Sequence, residues 1–179
     1  MIDVRQLSQE VFVAKESIIA FGDEESEFVK IAAAKSGRRR ARICAHQAND
    51  DLLHEMLIAI TPGSYIHPHR HLEKSESFHI VEGSVDVIVF NEGGSITNII
   101  ELGQYGSGKS FFYRMSESRF HTLHIQSEIL VMHEVTNGPF QESMSILAPF
   151  APLEADLSAV RKYEKILFQQ IEAFKRSQN

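Results

Sequence analysis

The chain has very little cysteine and no long apolar run. Cys44 is its single cysteine among 179 residues, which excludes an internal disulfide and favours a reducing compartment. No apolar run approaches the about 20 residues needed to cross a bilayer, and Met1 is followed by Ile2 and Asp3 rather than by a basic and then apolar leader. We therefore expect a soluble, cytoplasmic protein.

Positive charge is also scarce, with a formal net charge of −6. An acidic surface does not attract nucleic acid or an anionic membrane, so neither is expected as a partner. Phosphate-binding loops, dinucleotide fingerprints, serine nucleophile elbows and internal repeats are all lacking. A hydrophobic content of 43% over this length favours one well-buried core, and therefore a single globular domain.

Short apolar segments separated by glycine-marked turns fill the middle of the chain. A hairpin is predicted from Phe78–Val81 and Ser84–Phe90, joined at Glu82-Gly83. This spacing is typical of an all-β sandwich or barrel. The remaining strands are predicted at Arg40–His46, His54–Thr61, Ile96–Leu102, Ser110–Met115, His121–Ile125 and Ile129–Thr136.

Two helices flank this β-rich region. A helix is predicted at Asp23–Lys35, because Asp23 can cap it, its first turn is acidic and it has one apolar face. Leu157–Phe174 has apolar residues at helical spacing, and its apolar face must be covered by the barrel or by a second subunit, which suggests a homodimer. Glu10–Ile19 fits either a strand or a short helix.

The most informative stretch runs from Gly63 to Gly83. His69 and His71 are two residues apart, so on an extended strand both imidazoles leave the same face and can reach one metal ion. Glu76 follows a short loop and opens the next apolar segment. A hairpin at this position would return its carboxylate towards the two histidines.

This pattern of Gly, His-x-His, Glu and Gly resembles the first signature motif of the cupin superfamily. The segments Pro68–His71, Lys74–Phe78, His121–Leu123 and Asn137–Phe140 are similar, in order, to the WbuC family of cupin-fold metalloproteins. The resemblance covers about residues 38 to 152. It implies a cupin β-barrel, or small double-stranded β-helix (jelly roll), at 38–152, with an N-terminal extension at 1–37 carrying one helix and a C-terminal helix at 153–179.

The resemblance also implies a fourth metal ligand. A second cupin motif supplies a histidine through a turn, and the matching residue here is His121, with Ser116 and Ser118 where Pro and Gly usually stand. The expected ligand set is therefore His69, His71, Glu76 and His121. Three neutral imidazoles and one carboxylate leave a divalent ion with a charge near +1, and such ligands suit Fe, Mn, Ni, Co or Zn.

Several other residues are candidates for a role beside the metal. Lys74 lies in the loop between ligands and can hold an anionic group or face solvent. Tyr113 and Arg114 alternate on one strand, so one of them can enter the cavity. His133 is either a buried core histidine or an acid-base residue. The catalytic candidates are thus His133, Tyr113 and Lys74, and His67 is a weaker candidate ligand.

The only basic run is Arg38, Arg39, Arg40 and Arg42. These arginines either pair with nearby carboxylates or hold an anionic substrate. Cys44 has no partner pattern for a nucleophile and is interpreted as a buried small apolar residue.

A metal-dependent enzyme acting on a small polar substrate is the leading hypothesis, with isomerisation, epimerisation, decarboxylation and oxygenation all open. The WbuC resemblance implies a context in bacterial O-antigen and surface polysaccharide metabolism, and hence a sugar-derived substrate. The alternatives are a non-catalytic metal and small-ligand-binding module, and a metal-free sugar epimerase using a His base and a Tyr acid. The fold alone does not decide among them.

Overall fold

The computed structural model describes residues 2–178. Their elements, in chain order, are β1 (Val4–Gln6), β2 (Val11–Ala14), α1 (Asp23–Lys35), β3 (Arg40–Cys44), β4 (Leu53–Ile60), β5 (His69–His71), β6 (Glu76–Glu82), β7 (Ser84–Phe90), β8 (Ile96–Gly103), β9 (Phe112–Met115), β10 (Phe120–Ile125), β11 (Leu130–Asn137), a 3-10 turn (Glu142–Met144), β12 (Ser145–Leu147) and α2 (Leu157–Gln178).

The strands form two facing sheets. Sheet A has the order β1-β2-β3-β4-β11-β6-β9, and sheet B has the order β12-β5-β10-β7-β8. Apart from the parallel pair β2–β3, neighbouring strands are antiparallel. The predicted fold class, an all-β jelly roll of two sheets with one N-terminal and one C-terminal helix, is confirmed.

Side-chain alternation divides the apolar residues among three clusters. On β4, Met56, Ile58 and Ile60 point between the sheets, whereas Leu57 and Ala59 point to the outer face of sheet A, where α1 packs. The outer face of sheet B packs against α2 in the same way. Both sheets therefore have buried residues on both faces, which leaves little polar alternation in the sequence.

The N-terminus of α1 differs from the expected cap. Gly22 occupies the N-cap position, and Asp23 is the first helical residue. The carboxylate of Glu25 accepts hydrogen bonds from the backbone N–H groups of Gly22 and Ile2, both at 2.9 Å. Glu25 therefore ties the start of the described chain to the start of α1.

Gly83 forms the tight turn between β6 and β7. Its φ of +85° lies in the left-handed region, which glycine adopts without strain. A Cβ at this position would overlap the backbone oxygen of Ile129 and the hydroxyl of Ser127. The second glycine of the Gly63–Gly83 stretch is thus required by the backbone conformation of the turn.

The sequence prediction missed two short strands and shifted several boundaries. Within Glu10–Ile19, residues Val11–Ala14 form a strand, which resolves the ambiguity of that segment. β1 and β12, of three residues each, were not predicted. β3 ends at Cys44 rather than His46, and α2 continues to Gln178.

The C-terminal helix packs on sheet B through Leu167 and Ile171, which contact the cluster containing Ile88 and Phe90. An ion pair adds to this contact, since Lys175 Nζ lies 2.8 Å from Oδ2 of the fully buried Asp86. Between residues 2 and 178, neither helix combines the length and the apolar character that a membrane span requires.

We predict that Lys175→Met destabilises the protein by about 2 kcal/mol, because Asp86 would remain buried with its charge uncompensated. This figure is below the value for a fully buried pair because Lys175 is partly exposed. Urea unfolding at neutral pH measures the change. Lys165→Met, on the exposed side of the same helix, is the control and should change the stability by less than about 0.5 kcal/mol. Equal effects of the two substitutions would contradict this role for the ion pair.

Candidate metal centre

Backbone pairing brings the predicted histidines together on the inner face of sheet B. His69 of β5 lies directly opposite His121 of β10, and their ring centroids are 4.7 Å apart. His71 leaves the same face two residues later, at 4.9 Å from His69 between ring centroids. The three histidines present nitrogen atoms within 4.8 Å of one another, so they could bind one metal ion.

The Nδ1 atom of each of these rings lies within hydrogen-bond distance of another polar atom of the protein. Nδ1 of His69 lies 2.9 Å from the carbonyl of His67, and Nδ1 of His121 lies 3.0 Å from the carbonyl of Arg119. Nδ1 of His71 lies 3.1 Å from Ser145 Oγ on β12. A carbonyl accepts a hydrogen bond from Nδ1–H. The proton is then on Nδ1 and the lone pair of Nε2 is free, as in metal-binding histidines.

Glu76 approaches the same point from sheet A. It opens β6, and its Oε1 lies 2.9 Å from His121 Nε2 while its Oε2 lies 3.5 Å from His71 Nε2. Glu76 is only 4% exposed, and its Oε1 has no partner with hydrogen-bond geometry despite the short distance to His121. A buried carboxylate oxygen without a hydrogen bond is costly. A bound cation would remove this cost.

The electrostatics of the cluster favour an ionised Glu76 and a neutral His69, whereas the pKa of His121 is raised. Burial, together with the charges of His121 and His71, lowers the pKa of His69 to about 4. Burial opposes ionisation of Glu76, but His121, His71 and His69 outweigh it and hold the pKa of Glu76 well below its usual range. Burial lowers the pKa of His121, and Glu76 outweighs that effect and raises it. Without a cation, His121 therefore tends to carry the compensating proton.

These residues fit a divalent ion. The three histidines form a group that could hold a metal ion. Glu76 does not belong to that group, but its carboxylate oxygens lie 2.9 Å from His121 and 3.5 Å from His71. Nitrogen and oxygen donors without thiolate suit Fe, Mn, Ni, Co or Zn. Glu76 is the ligand candidate that needs compensation, because its charge is almost fully buried.

The cluster lies at one wall of a cavity of about 1040 Å³ between the sheets. Beside Glu76, the opposite wall includes the apolar residues Met56, Ile58, Phe78 and Met132. A space of this size can hold a ligand as large as a typical cofactor or sugar derivative.

Glu134 is a polar residue of this cavity that the sequence analysis missed. Its partners across β11 are Met56 and Phe78, both on the inner face of sheet A, so its carboxyl group points into the cavity. The side chain is only half-buried because its free surface faces the cavity. Burial and the nearby charge of Glu76 raise the pKa of Glu134 to about 7.

Of the three catalytic candidates, one lines the cavity. Lys74 does so, but its Nζ donates a hydrogen bond to the carbonyl of Pro139 at 2.7 Å. Tyr113 points to the inner face, stacks on Phe78 at 5.2 Å and is buried in the core with its hydroxyl unpartnered. His133 lies on the outer face of sheet A, 3.7 Å from a Glu55 carboxylate oxygen, and does not reach the cavity.

The structure also gives the positions of His67, the weaker candidate ligand, and of Arg114. His67 lines the cavity, but it is not among the three clustered histidines, and its Nδ1 lies 2.7 Å from the carbonyl of Pro68. Arg114, which alternates with Tyr113, is exposed and donates a hydrogen bond to Ser75 Oγ. Cys44 is buried among apolar residues, in agreement with the interpretation that it is not a nucleophile, and burial raises its pKa.

Three of the four arginines in the basic run have structural partners. Arg38 pairs with Glu154 at 2.7 Å and with Glu10 at 3.3 Å. Arg39 donates a hydrogen bond to the carbonyl of Pro62, and Arg40 donates one to the carbonyl of Tyr65. For these three, pairing with the protein is the observed role.

We predict that Glu134 makes the metal-free protein less stable as the pH rises. Its pKa in the folded protein, about 7, lies above its ordinary value of 4.5. The stabilisation is therefore fully present below about pH 4.5 and is lost as the pH rises through about 7. Relative to wild type, Glu134→Gln should gain about 2 kcal/mol of unfolding free energy between pH 4.5 and pH 8.5.

Urea unfolding of the EDTA-treated proteins at both pH values measures this difference. Glu128→Gln, at a loop position between β10 and β11, provides the matched charge control and should show no such pH dependence. A difference between wild type and Glu134→Gln that does not change with pH would contradict a raised pKa at Glu134.

One family model matches part of the chain. Residues 24–102, less than half of the chain, match the sequence model of a domain of unknown function, DUF6016. No curated protein matches the sequence.

The solved structures to which the chain is similar share little sequence with it. Protein SO0799 from Shewanella oneidensis has 15% identity and a TM-score of 0.49, covering 68% of this chain and 76% of that one. Oxalate decarboxylase from Bacillus subtilis has 19% identity and a TM-score of 0.44, covering 55% of this chain and 24% of that one. An HTH_3 family transcriptional regulator from Vibrio cholerae has 19% identity and a TM-score of 0.40, covering 56% and 52%. The chain thus spans about a quarter of the oxalate decarboxylase, and its fold assignment rests on its own sheet topology.

Proposed function

We propose that this protein binds one divalent metal ion through His69, His71, Glu76 and His121, and that the ion binds a small polar ligand in the cavity. The observation that carries the proposal is the orientation of the donors. All three histidines have a partner at Nδ1, and the unsatisfied Oε1 of Glu76 lies 2.9 Å from Nε2 of His121. No purely structural role requires this convergence of buried donors.

We further propose that the protein is a metal-dependent enzyme. When bound, the ion would supply Lewis-acid chemistry at a carbonyl or hydroxyl oxygen of the substrate. Glu134 supports this role, because its carboxyl group faces the cavity and, with a pKa of about 7, can hold or accept a proton near neutral pH. The apolar wall formed by Met56 and Phe78 would exclude water from that proton.

The similarity to the WbuC family motivates a sugar-derived substrate in bacterial O-antigen and surface polysaccharide metabolism. It rests on the segments Pro68–His71, Lys74–Phe78, His121–Leu123 and Asn137–Phe140. The cavity is consistent with such a ligand in size.

The proposal predicts about one equivalent of a transition metal in untagged protein purified anaerobically without added metal. Elemental analysis provides the measurement. Glu76→Gln and His121→Ala should each lose most of the metal while keeping the fold, since each substitution removes one of four ligands. Circular dichroism and urea unfolding check the fold.

The matched control is His79→Gln. His79 lies on β6 three residues from Glu76, but it is exposed on the outer face, where it stacks on Phe111. This variant should keep the metal content of wild type. Stoichiometric metal in Glu76→Gln would refute the four-ligand site. So would wild-type protein that contains no metal and binds none when metal is added, and a metal-free sugar epimerase would then be the better hypothesis.

We also propose that the protein forms a homodimer. After α2 has packed on sheet B, its Leu157, Ile166 and Phe168 remain at least half exposed. Light scattering should give about twice the chain mass of 20.3 kDa, and Ile166→Glu should shift the value towards the monomer. A monomeric wild type at micromolar concentration would refute this proposal.

A further inference from the structure

Arg42 is the one member of the basic run whose side chain stands on the cavity wall without an ion-pair partner. On β3 it pairs with Ile58 of β4, and Ile58 belongs to the core between the sheets. Because side chains opposite each other in a sheet share a face, Arg42 also points inwards. It lines the same cavity as the histidine cluster.

The contacts of Arg42 differ from those of its neighbours. Arg38, Arg39 and Arg40 all donate hydrogen bonds to carboxylates or carbonyls of the protein. Within residues 2–178, the guanidinium of Arg42 has no carboxylate within ion-pair distance and no oxygen acceptor. It hydrogen-bonds the thiol of Cys44, and its charge also acts on Glu134; both of these groups face inwards. The guanidinium is therefore directed along the inner wall.

A second arginine shares this part of the wall. Arg5 of β1 pairs with Val13 of β2, and Val13 pairs with Cys44 of β3, so all three lie on the inner face. Arg5 also lines the cavity and forms no ion pair with another described residue. Two arginines without carboxylate partners face one cavity in a chain with a net charge of −6.

We propose that Arg42, with Arg5 beside it, binds an anionic oxygen group of the cavity's ligand, either a phosphate or a carboxylate. The planar guanidinium presents parallel N–H donors that match both groups in a two-hydrogen-bond arrangement. The guanidinium of Arg42 is exposed, and the contact that it makes with the Cys44 thiol leaves donors for such a ligand.

The sheet geometry also gives the shape of the ligand. β3, which carries Arg42, and β6, which carries Glu76, are separated in sheet A by β4 and β11. With about 4.8 Å between neighbouring strands, the two backbones are about 14 Å apart. The ligand is therefore elongated, with an oxygen-donor end at the metal and an anionic end at Arg42. The assignment of the first end rests on the proposed function; the anion site does not.

The test is a titration of the full-length, EDTA-treated protein with inorganic phosphate and, separately, with acetate, followed by two-dimensional amide NMR. Wild type should show saturable shifts at residues of β3. Arg42→Gln should weaken the apparent affinity about tenfold, as expected for loss of a charge-assisted pair. Arg42→Lys, which keeps the charge but loses the fork, should fall between them.

Arg161→Gln is the matched control, because Arg161 is exposed on α2 and its loss changes the net charge equally. It should alter the affinity by less than about twofold. Tighter binding of phosphate than of acetate would indicate a phosphorylated ligand, and the reverse order a carboxylate. NMR spectra of the variants without anion verify that the fold is kept.

Wild-type protein that binds neither anion saturably would overturn the inference. So would unchanged affinity in both Arg42 variants. Because these titrations contain no metal, their outcome is independent of the metal analysis. A protein that refuses metal but loses anion affinity in Arg42→Gln would refute the proposed function and leave the anion site standing.

Discussion

The buried carboxylate of Glu76 is the constraint on which the centre of this molecule depends. An ionised carboxylate at 4% exposure needs compensating charge, because its desolvation costs several kcal/mol. The compensation comes from the other sheet, where His121 lies 2.9 Å away and His71 lies 3.5 Å away. Sheets A and B are therefore linked at this point by electrostatics as well as by apolar packing.

The division of roles between the sheets follows from this link. Sheet B supplies the three imidazoles, each fixed at Nδ1, on strands covered from outside by α2. Sheet A supplies the charged groups Glu76, Glu134 and Arg42. One wall is therefore rich in imidazole nitrogen, and the other carries carboxylates and a guanidinium. A ligand between them can be coordinated on one side and hydrogen-bonded on the other.

The sequence predicted features whose cause is local. The spacing of His69 and His71 determines a common face on any extended strand, and α1 at Asp23–Lys35 and β7 at Ser84–Phe90 have the predicted bounds. β1 and β12 were not predicted, because a strand of three residues is too short to show a periodic pattern. Both are defined by their pairing with other strands. Glu134 was missed for a related reason. With α1 covering the outer face of sheet A, Val131 and Met132 are both buried, so alternation does not show which face of β11 is inward.

The basic run also shows that the sequence alone does not reveal which side chains have partners in the fold. Four arginines within five positions look equivalent in sequence, yet three are held by groups such as Glu154 and the carbonyls of Pro62 and Tyr65. Strand parity points both Arg40 and Arg42 towards the cavity, but Arg40 is held by Glu154 and by the carbonyl of Tyr65, whereas Arg42 has no carboxylate within ion-pair distance among residues 2–178. The acidic character of the chain as a whole would repel an anionic ligand at long range. Capture therefore has to come from local charge, and a metal ion at one end with a guanidinium at the other would favour ligands whose anionic groups match that separation.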